Sequence, residues 1–206
     1  MLTLEEGKFL VKLARRTIEG YLHTDKKPPA PKTAEKLHKR SGVFVTLTKH
    51  GELRGCIGHP LPELPLVDAI IDAAVNSATR DPRFPPVTLE ELPEIKIEVS
   101  VLSPPELIKV KSPREYPKHI VIGRDGLVVE WSGYAGLLLP QVATEYGWDA
   151  EEFLSHTCMK AGLMPDHWLR KDVEISKFSA QIFGEKSPGG EVEEHVPRPK
   201  KKHLNS

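Results

Sequence analysis

The sequence predicts an α+β fold. Three patterns carry that prediction: an apolar stripe at helical spacing over residues 10–22, a strict apolar–polar alternation over 95–101, and two apolar runs that meet at His50-Gly51 between residues 43 and 58. A chain of 206 residues is long enough for one substantial domain with a proper core, or for a domain of two lobes. Hydrophobic residues at 39% and charged residues at 28% fit a globular protein rather than a disordered one.

Taken in order, Thr3 and Glu6 form a capping-box signature, and Leu10, Leu13, Ala14, Ile18, Tyr21 and Leu22 then recur on one helical face. Residues 24–42, with Pro28, Pro29 and Pro31, read as a polar connection. Residues 43–58 read as a β-hairpin. A two-residue loop at His50-Gly51 places Val45 opposite Cys56 and mixes apolar with charged residues on one face. A three-residue loop from Lys49 to Gly51 places Leu47 opposite Leu53 and separates the faces, so it is the predicted register. In that register Val43, Val45, Leu47, Leu53 and Ile57 face the core, and Thr46, Arg54 and Cys56 face away. Leu66, Ala69, Ile70, Ala73, Ala74, Ser77 and Ala78 predict a helix with a small-residue stripe, stopped by Asp81-Pro82-Arg83-Phe84-Pro85-Pro86. Ile95, Ile97, Val99 and Val101 predict a half-buried strand. Two further strands are expected over 119–123 and 126–131, a short helix over 137–146, a capped helix from Asp149 to Gly162 and a closing strand over 175–183. From Ser187 onward, Pro, Gly and charge predict a flexible, solvated tail, giving a folded region of 1–186 and a tail of 187–206.

Several classes of function lack sequence support. Lys plus Arg and Asp plus Glu both number 29, so the basic excess of a dedicated nucleic-acid binder is missing. The chain contains no P-loop, no GxGxxG, no Gly-x-Ser-x-Gly, no HxH and no HExxH, and nothing in it names a cofactor or a metal. Two cysteines far apart make no disulfide framework and predict free thiols. The acidic N-terminus and the lack of a long apolar run predict a cytoplasmic protein with no membrane partner.

The segment Leu53-Arg54-Gly55-Cys56-Ile57-Gly58 is the candidate site. Alternation puts Arg54 and Cys56 on one face, and Gly55 and Gly58 admit something close to the backbone. Arg54 offers a forked cation for an anionic group and lowers the pKa of a neighbouring thiol, which favours a Cys56 nucleophile. Against this stands the common role of a strand cysteine as a small buried hydrophobe. His59 is either a base near Cys56 or a turn residue before Pro60. Arg83, in the proline-stiffened turn, is a candidate for holding a ligand over a cleft, while Asp81 caps backbone and Phe84 anchors the turn. Gln141 is a neutral amide whose partner is backbone or ligand. His156 and Lys160 read as surface, and Cys158 as core.

The hexapeptide resembles the hallmark of the AMMECR domain family. Asp81–Pro86, Ile97–Leu102 and Gly136–Gln141 leading to Gly147-Trp148 are similar to further motifs of that family in the same order, and the resemblance covers roughly residues 5–185. The Cys158–Gly162 segment resembles archaeal or bacterial members. The resemblance implies an antiparallel sheet flanked by helices, with a smaller second lobe. It implies that Arg54, Gly55, Cys56 and Gly58 line or support a cleft. It carries no reaction with it. The resemblance also implies an association: prokaryotic members are often encoded beside, or fused to, Memo-like and radical S-adenosylmethionine proteins, which hints at one modification pathway. Two expectations follow: an enzyme acting through Cys56 and Arg54, or a non-catalytic module binding a small molecule, a peptide or a protein partner.

Overall fold

The computed structural model describes residues 1–195. Among the described residues, the chain divides into two compact units: Met1–Leu102 with residues 181–195, and Ser103–Ala180. Both are α+β with antiparallel strands.

In the first unit, helix α1 (Leu4–Thr24) opens with the predicted capping box, in which Thr3 and Glu6 satisfy each other's backbone N–H groups. Its buried stripe contains Leu10, Val11, Ala14 and Ile18. Strands β1 (Val43–Lys49) and β2 (Glu52–His59) form the hairpin, helix α2 (Leu66–Thr79) follows, and β3 (Ile95–Leu102) pairs with β1. The sheet runs β2-β1-β3 and on to strand β7 (Glu174–Glu185), with β8 (Val192–His195) also paired to β7. Val43, Val45 and Leu47 of β1 and Ile95, Ile97 and Val99 of β3 join α1 and α2 in one core. The helices lie on the face of this sheet to which Val43, Val45 and Leu47 of β1 and Ile95, Ile97 and Val99 of β3 point.

In the second unit, β4 (Glu106–Leu107) and β5 (Asp125–Trp131) pair with β7, and β6 (Tyr134–Leu138) pairs with β5. Helices α3 (Pro140–Tyr146) and α4 (Ala150–Lys160) complete it. Asp149 caps α4 through a second capping box with Glu152. Leu127, Val129, Phe153, Leu154, Cys158 and Ile175 belong to its separate core.

Four expectations need correction. The hairpin loop has two residues, His50 and Gly51, both left-handed, and the register steps by one between Leu47 and Thr48. A β-bulge at Arg54 therefore separates the faces, which a longer loop was expected to do. It turns Leu53 outward to 41% exposure, while Val43, Val45 and Leu47 are buried as expected. No strand forms over 119–123. Asp125 draws the chain into a turn, its backbone N–H bonding the Val121 carbonyl and its carboxylate accepting the Val121 N–H. The partner of β5 is β6 instead, across a turn at Ser132-Gly133 with both residues left-handed. Leu137 and Leu138 lie in that strand, so the helix starts at Pro140, where the missing proline N–H costs nothing. The tail was placed too early: Val192 is buried and residues 192–195 pair with β7. The remainder of the expected tail lies outside the described residues. Among the described residues, no helix is long and apolar enough to cross a membrane.

Candidate functional site

Strand β2 is tied to its surroundings at nearly every residue of the hexapeptide. Arg54 presents its fork to Glu91, with Nε to Oε1 at 2.8 Å and Nη2 to Oε2 at 2.9 Å, and these hydrogen bonds, with the charges of Arg54 and Lys49 behind them, hold the Glu91 carboxyl below the usual range. Both side chains are largely buried. Gly55 lies directly under α2: a Cβ there would fall well inside van der Waals contact with the Ser77 carbonyl oxygen. At Gly58 a Cβ would collide with the Val43 carbonyl and the Phe44 ring. The close approach that these glycines permit is made by the chain itself. Ser77 then joins helix to hairpin, its hydroxyl accepting from Ile57 N–H and donating to the Val45 carbonyl, both at 2.8 Å.

Cys56 is held from its outer side. Its N–H donates to Asp81 Oδ2 at 2.8 Å, and its carbonyl accepts from Arg83 Nη2 at 3.2 Å. Asp81 is buried and receives the Arg83 fork at 2.9 and 2.7 Å. Arg83's hydrogen bonds, helped by the Cys56 and Arg83 backbone N–H groups, hold the Asp81 carboxyl well below the usual range against the cost of burial. Asp81 thus caps backbone as expected, and also anchors Arg83. The Phe84 ring lies 5.5 Å beneath the Arg83 guanidinium and 6.0 Å from that of Arg54.

The side chain of Cys56 points to the sheet face opposite α1 and α2. Thr46 stands opposite it on β1, with Oγ1 at 3.3 Å from Sγ, and Glu98 stands opposite Thr46 on β3. Glu98 Oε2 is 3.4 Å from His195 Nδ1. His195 has room because Gly184 lacks a side chain: a Cβ there would come within 3.0 Å of the imidazole and 3.5 Å of Glu98 Cγ. Four strands therefore bring Cys56, Thr46, Glu98 and His195 into one polar row. A cleft of about 70 Å³ beside it is lined by Thr46, Thr48, Lys96, Glu98, Glu185 and His195. The Arg15 fork engages Glu185 with two contacts of 2.6 Å, which leaves Glu98 as the less constrained carboxylate. Burial raises the Glu98 pKa, and His195 only partly offsets it. Burial also pushes the Cys56 thiol up; Thr46 and Arg83 oppose this, while Asp81 and Glu98 reinforce it.

His59 points away from this row. Its Nε2 lies 2.8 Å from Asp72 Oδ2, in a cluster with Lys27 and Asn76. Gln141 belongs to the second unit, where its Oε1 is buried without a hydrogen-bond partner among the described residues. Cys158 is fully buried, and burial pushes its thiol up to about 11. His156 is more than plain surface, since its ring stacks on Trp148 at 3.7 Å. Glu91, Glu98 and His195 were missed as site residues. Alternation over 95–101 marks Glu98 as facing away from the core, but only the strand register shows that it shares a row with Cys56.

These features define an α+β protein with a polar row built around one cysteine, on the sheet face opposite α1 and α2. The chain belongs to the AMMECR1 family, whose model matches residues 11–183. It is 56% identical over 194 residues to protein MJ0810 of Methanocaldococcus jannaschii, covering 93% of this chain and 96% of that one. It is 58% identical to protein PYRAB00100 of Pyrococcus abyssi, covering 91% and 94%. The crystal structure of the uncharacterized protein PH0010 from Pyrococcus horikoshii superposes with a TM-score of 0.86 at 55% identity, over 93% of this chain and 97% of that one.

Proposed function

We propose that this chain is a binding module rather than a thiolate enzyme, and that it receives one polar group of a small molecule or peptide at the Cys56–Thr46–Glu98–His195 row. The observation that carries this reading is the state of the Arg54–Cys56 pair. Arg54 is neutralised by Glu91, and the thiol sits against Thr46 with its pKa raised by burial. A nucleophilic cysteine calls for the opposite, a cation free to stabilise the thiolate. The cleft suits a small head group, since drug-sized ligands occupy cavities of roughly 300–1,000 Å³. Arg54, Gly55 and Gly58 then shape the strand, Arg83 and Asp81 hold its outer side, and His59 and Gln141 stand apart from the ligand.

A second reading keeps an enzyme of a modification pathway, working with Memo-like or radical S-adenosylmethionine partners, but moves the proton chemistry to Glu98. What favours it is a buried carboxyl with raised pKa beside an imidazole, the arrangement of a general acid–base pair. A thermal-shift screen of amines, amides, carboxylates and dipeptides separates the readings, run on the native protein, Cys56→Ser and Glu98→Gln. The binding module predicts a class of compounds that stabilises native and Cys56→Ser protein and loses its effect on Glu98→Gln. Iodoacetamide labelling of Cys56 is then slower than that of a free model thiol at pH 8. Labelling faster than the model thiol, with stabilisation that vanishes in Cys56→Ser, overturns the module and restores a nucleophile.

A further inference from the structure

The cleft beside the Cys56 row lies over two neighbouring cross-strand pairs on one face of the first unit's sheet. Thr46 of β1 stands opposite Glu98 of β3, and one step along the same face Thr48 stands opposite Lys96. Side chains two apart on a strand share a face at a spacing of about 7 Å. Lys96 and Glu98 carry opposite charges at that spacing, and both line the cleft. Flexible side chains so placed can close on each other, yet these two make no ion pair. Among the described residues, Lys96 has no carboxylate within ion-pair distance, and Glu98 has only His195, at 3.4 Å. The Thr48 hydroxyl makes no hydrogen bond among the described residues.

The other polar groups of the lining are already engaged. Glu185 holds Arg15 and accepts the Ile97 and Gly189 N–H groups at 3.0 and 3.2 Å. The Thr46 hydroxyl meets Cys56 Sγ. His195 stands between Glu98 and Glu193, 3.3 Å from the latter. Gly184 keeps the space open: its φ lies outside the left-handed region, so the glycine answers to room and not to a turn. Burial raises the Glu98 pKa although His195 and Lys96 both lower it, so this carboxylate lacks a close counter-charge. What remains is a cation with a free hydroxyl beside it, an incompletely matched carboxylate, and the cleft of about 70 Å³ that they share.

We infer that the cleft binds a free α-amino acid, whose ammonium group is held by Glu98 and whose carboxylate is held by Lys96 and Thr48. This rests on the binding-module reading and names the ligand class of that same site. A lone amine leaves Lys96 unmatched and sets a second cation beside it, and a lone carboxylate does the same to Glu98. A peptide terminus brings one charge and not the other. An α-amino acid carries both on one carbon, and a cleft this small takes that head group while leaving the side chain outside.

The test titrates the ¹⁵N-labelled full chain with L-alanine at pH 7 and follows the amide resonances of Thr48, Lys96 and Gly184. L-Alaninamide, which lacks the carboxylate, and N-acetyl-L-alanine, which lacks the ammonium group, are the comparison probes. The expected result is a saturable shift with L-alanine at a dissociation constant of about 1 mM or tighter, and binding about tenfold weaker or more for each comparison probe. Lys96→Met lowers the affinity for L-alanine to that for L-alaninamide, and Glu98→Gln lowers it to that for N-acetyl-L-alanine. The probes require no change to the protein, so a variant that misfolds does not decide the result. Either comparison probe binding as tightly as L-alanine overturns the inference; where that binding is lost in Glu98→Gln, the binding module still stands. No saturable shift with L-alanine also overturns it, and the wider thermal-shift screen then decides the module by itself. L-Alanine shifts that persist undiminished in both variants overturn it too, because they mark binding elsewhere.

Discussion

The two carboxylates nearest Cys56 respond to pH with opposite sign. Asp81 has its pKa depressed in the folded state, chiefly by Arg83. It therefore contributes stability at pH values above its unfolded pKa of about 3.9, and that contribution is lost as pH falls toward the folded value. Glu98 has its pKa raised above the ordinary 4.5 by burial. Its ionisation opposes folding, so stability is greatest below its unfolded pKa and declines as pH rises through the folded one. Two expectations follow for urea denaturation. Asp81→Asn costs about 2–3 kcal/mol at pH 7, because a charged acceptor of the Cys56 N–H and of Arg83 is lost, and the cost shrinks toward pH 2. Glu98→Gln removes the decline in stability above the ordinary carboxyl pKa, leaving a flatter profile than native between pH 4 and pH 7. An Asp81→Asn cost that stays constant with pH contradicts the assignment of that carboxylate as ionised and paired.

At the scale of elements, the site depends on how closely α2 lies against β2. Gly55→Ala forces a methyl group against the backbone of Ser77. Backbone cannot swing aside as a side-chain tip can, so the expected loss is about 2–3 kcal/mol. Gly20, inside α1, has nothing within 4 Å of the position of a Cβ. Gly20→Ala is expected to stabilise by about 0.5–1 kcal/mol, since a helical glycine costs about that much relative to alanine. Thermal melts of the two variants should move in opposite directions. The same elements show what a sequence discloses. The helices α1, α2 and α4 and the strand β3 were legible because their signals are local: a cap, a period and a stop lie within one stretch of chain. The hairpin was legible as a hairpin, but its register was not. A single bulged residue, Arg54, reverses the faces and leaves no mark in the apolar pattern except an outward Leu53. The Cys56 row was the least legible part. His195 reaches Glu98 across 97 positions of chain, and only long-range pairing of β7 with β8 and placement of Gly184 bring them together.

At the scale of the whole molecule, the two cores share no residue, although β7 contributes to both units. Phe153 is the largest fully buried side chain of the second core. Its replacement by alanine is expected to cost about 3–5 kcal/mol. Because its contacts belong to that core, hydrogen exchange should accelerate in α4, β5 and β6, while protection in α1, α2 and β1–β3 stays close to native. Accelerated exchange throughout the chain would show instead that the molecule unfolds as one cooperative unit.

The Asp81–Arg83 pair has a consequence for how the protein behaves in concentrated solution. In the first unit β2 ends the strand order, and Cys56 would offer a free N–H and a free carbonyl to any passing chain. An unoccupied sheet margin of that kind is a template for adding foreign strands and nucleating fibrils. Here an acceptor and a donor from one short turn occupy both groups, and a guanidinium sits outside them. The turn therefore acts as a surrogate neighbour that cannot itself be extended. It lets a strand carrying Gly55, Cys56 and Gly58 remain at the margin of the sheet without recruiting further copies of the chain.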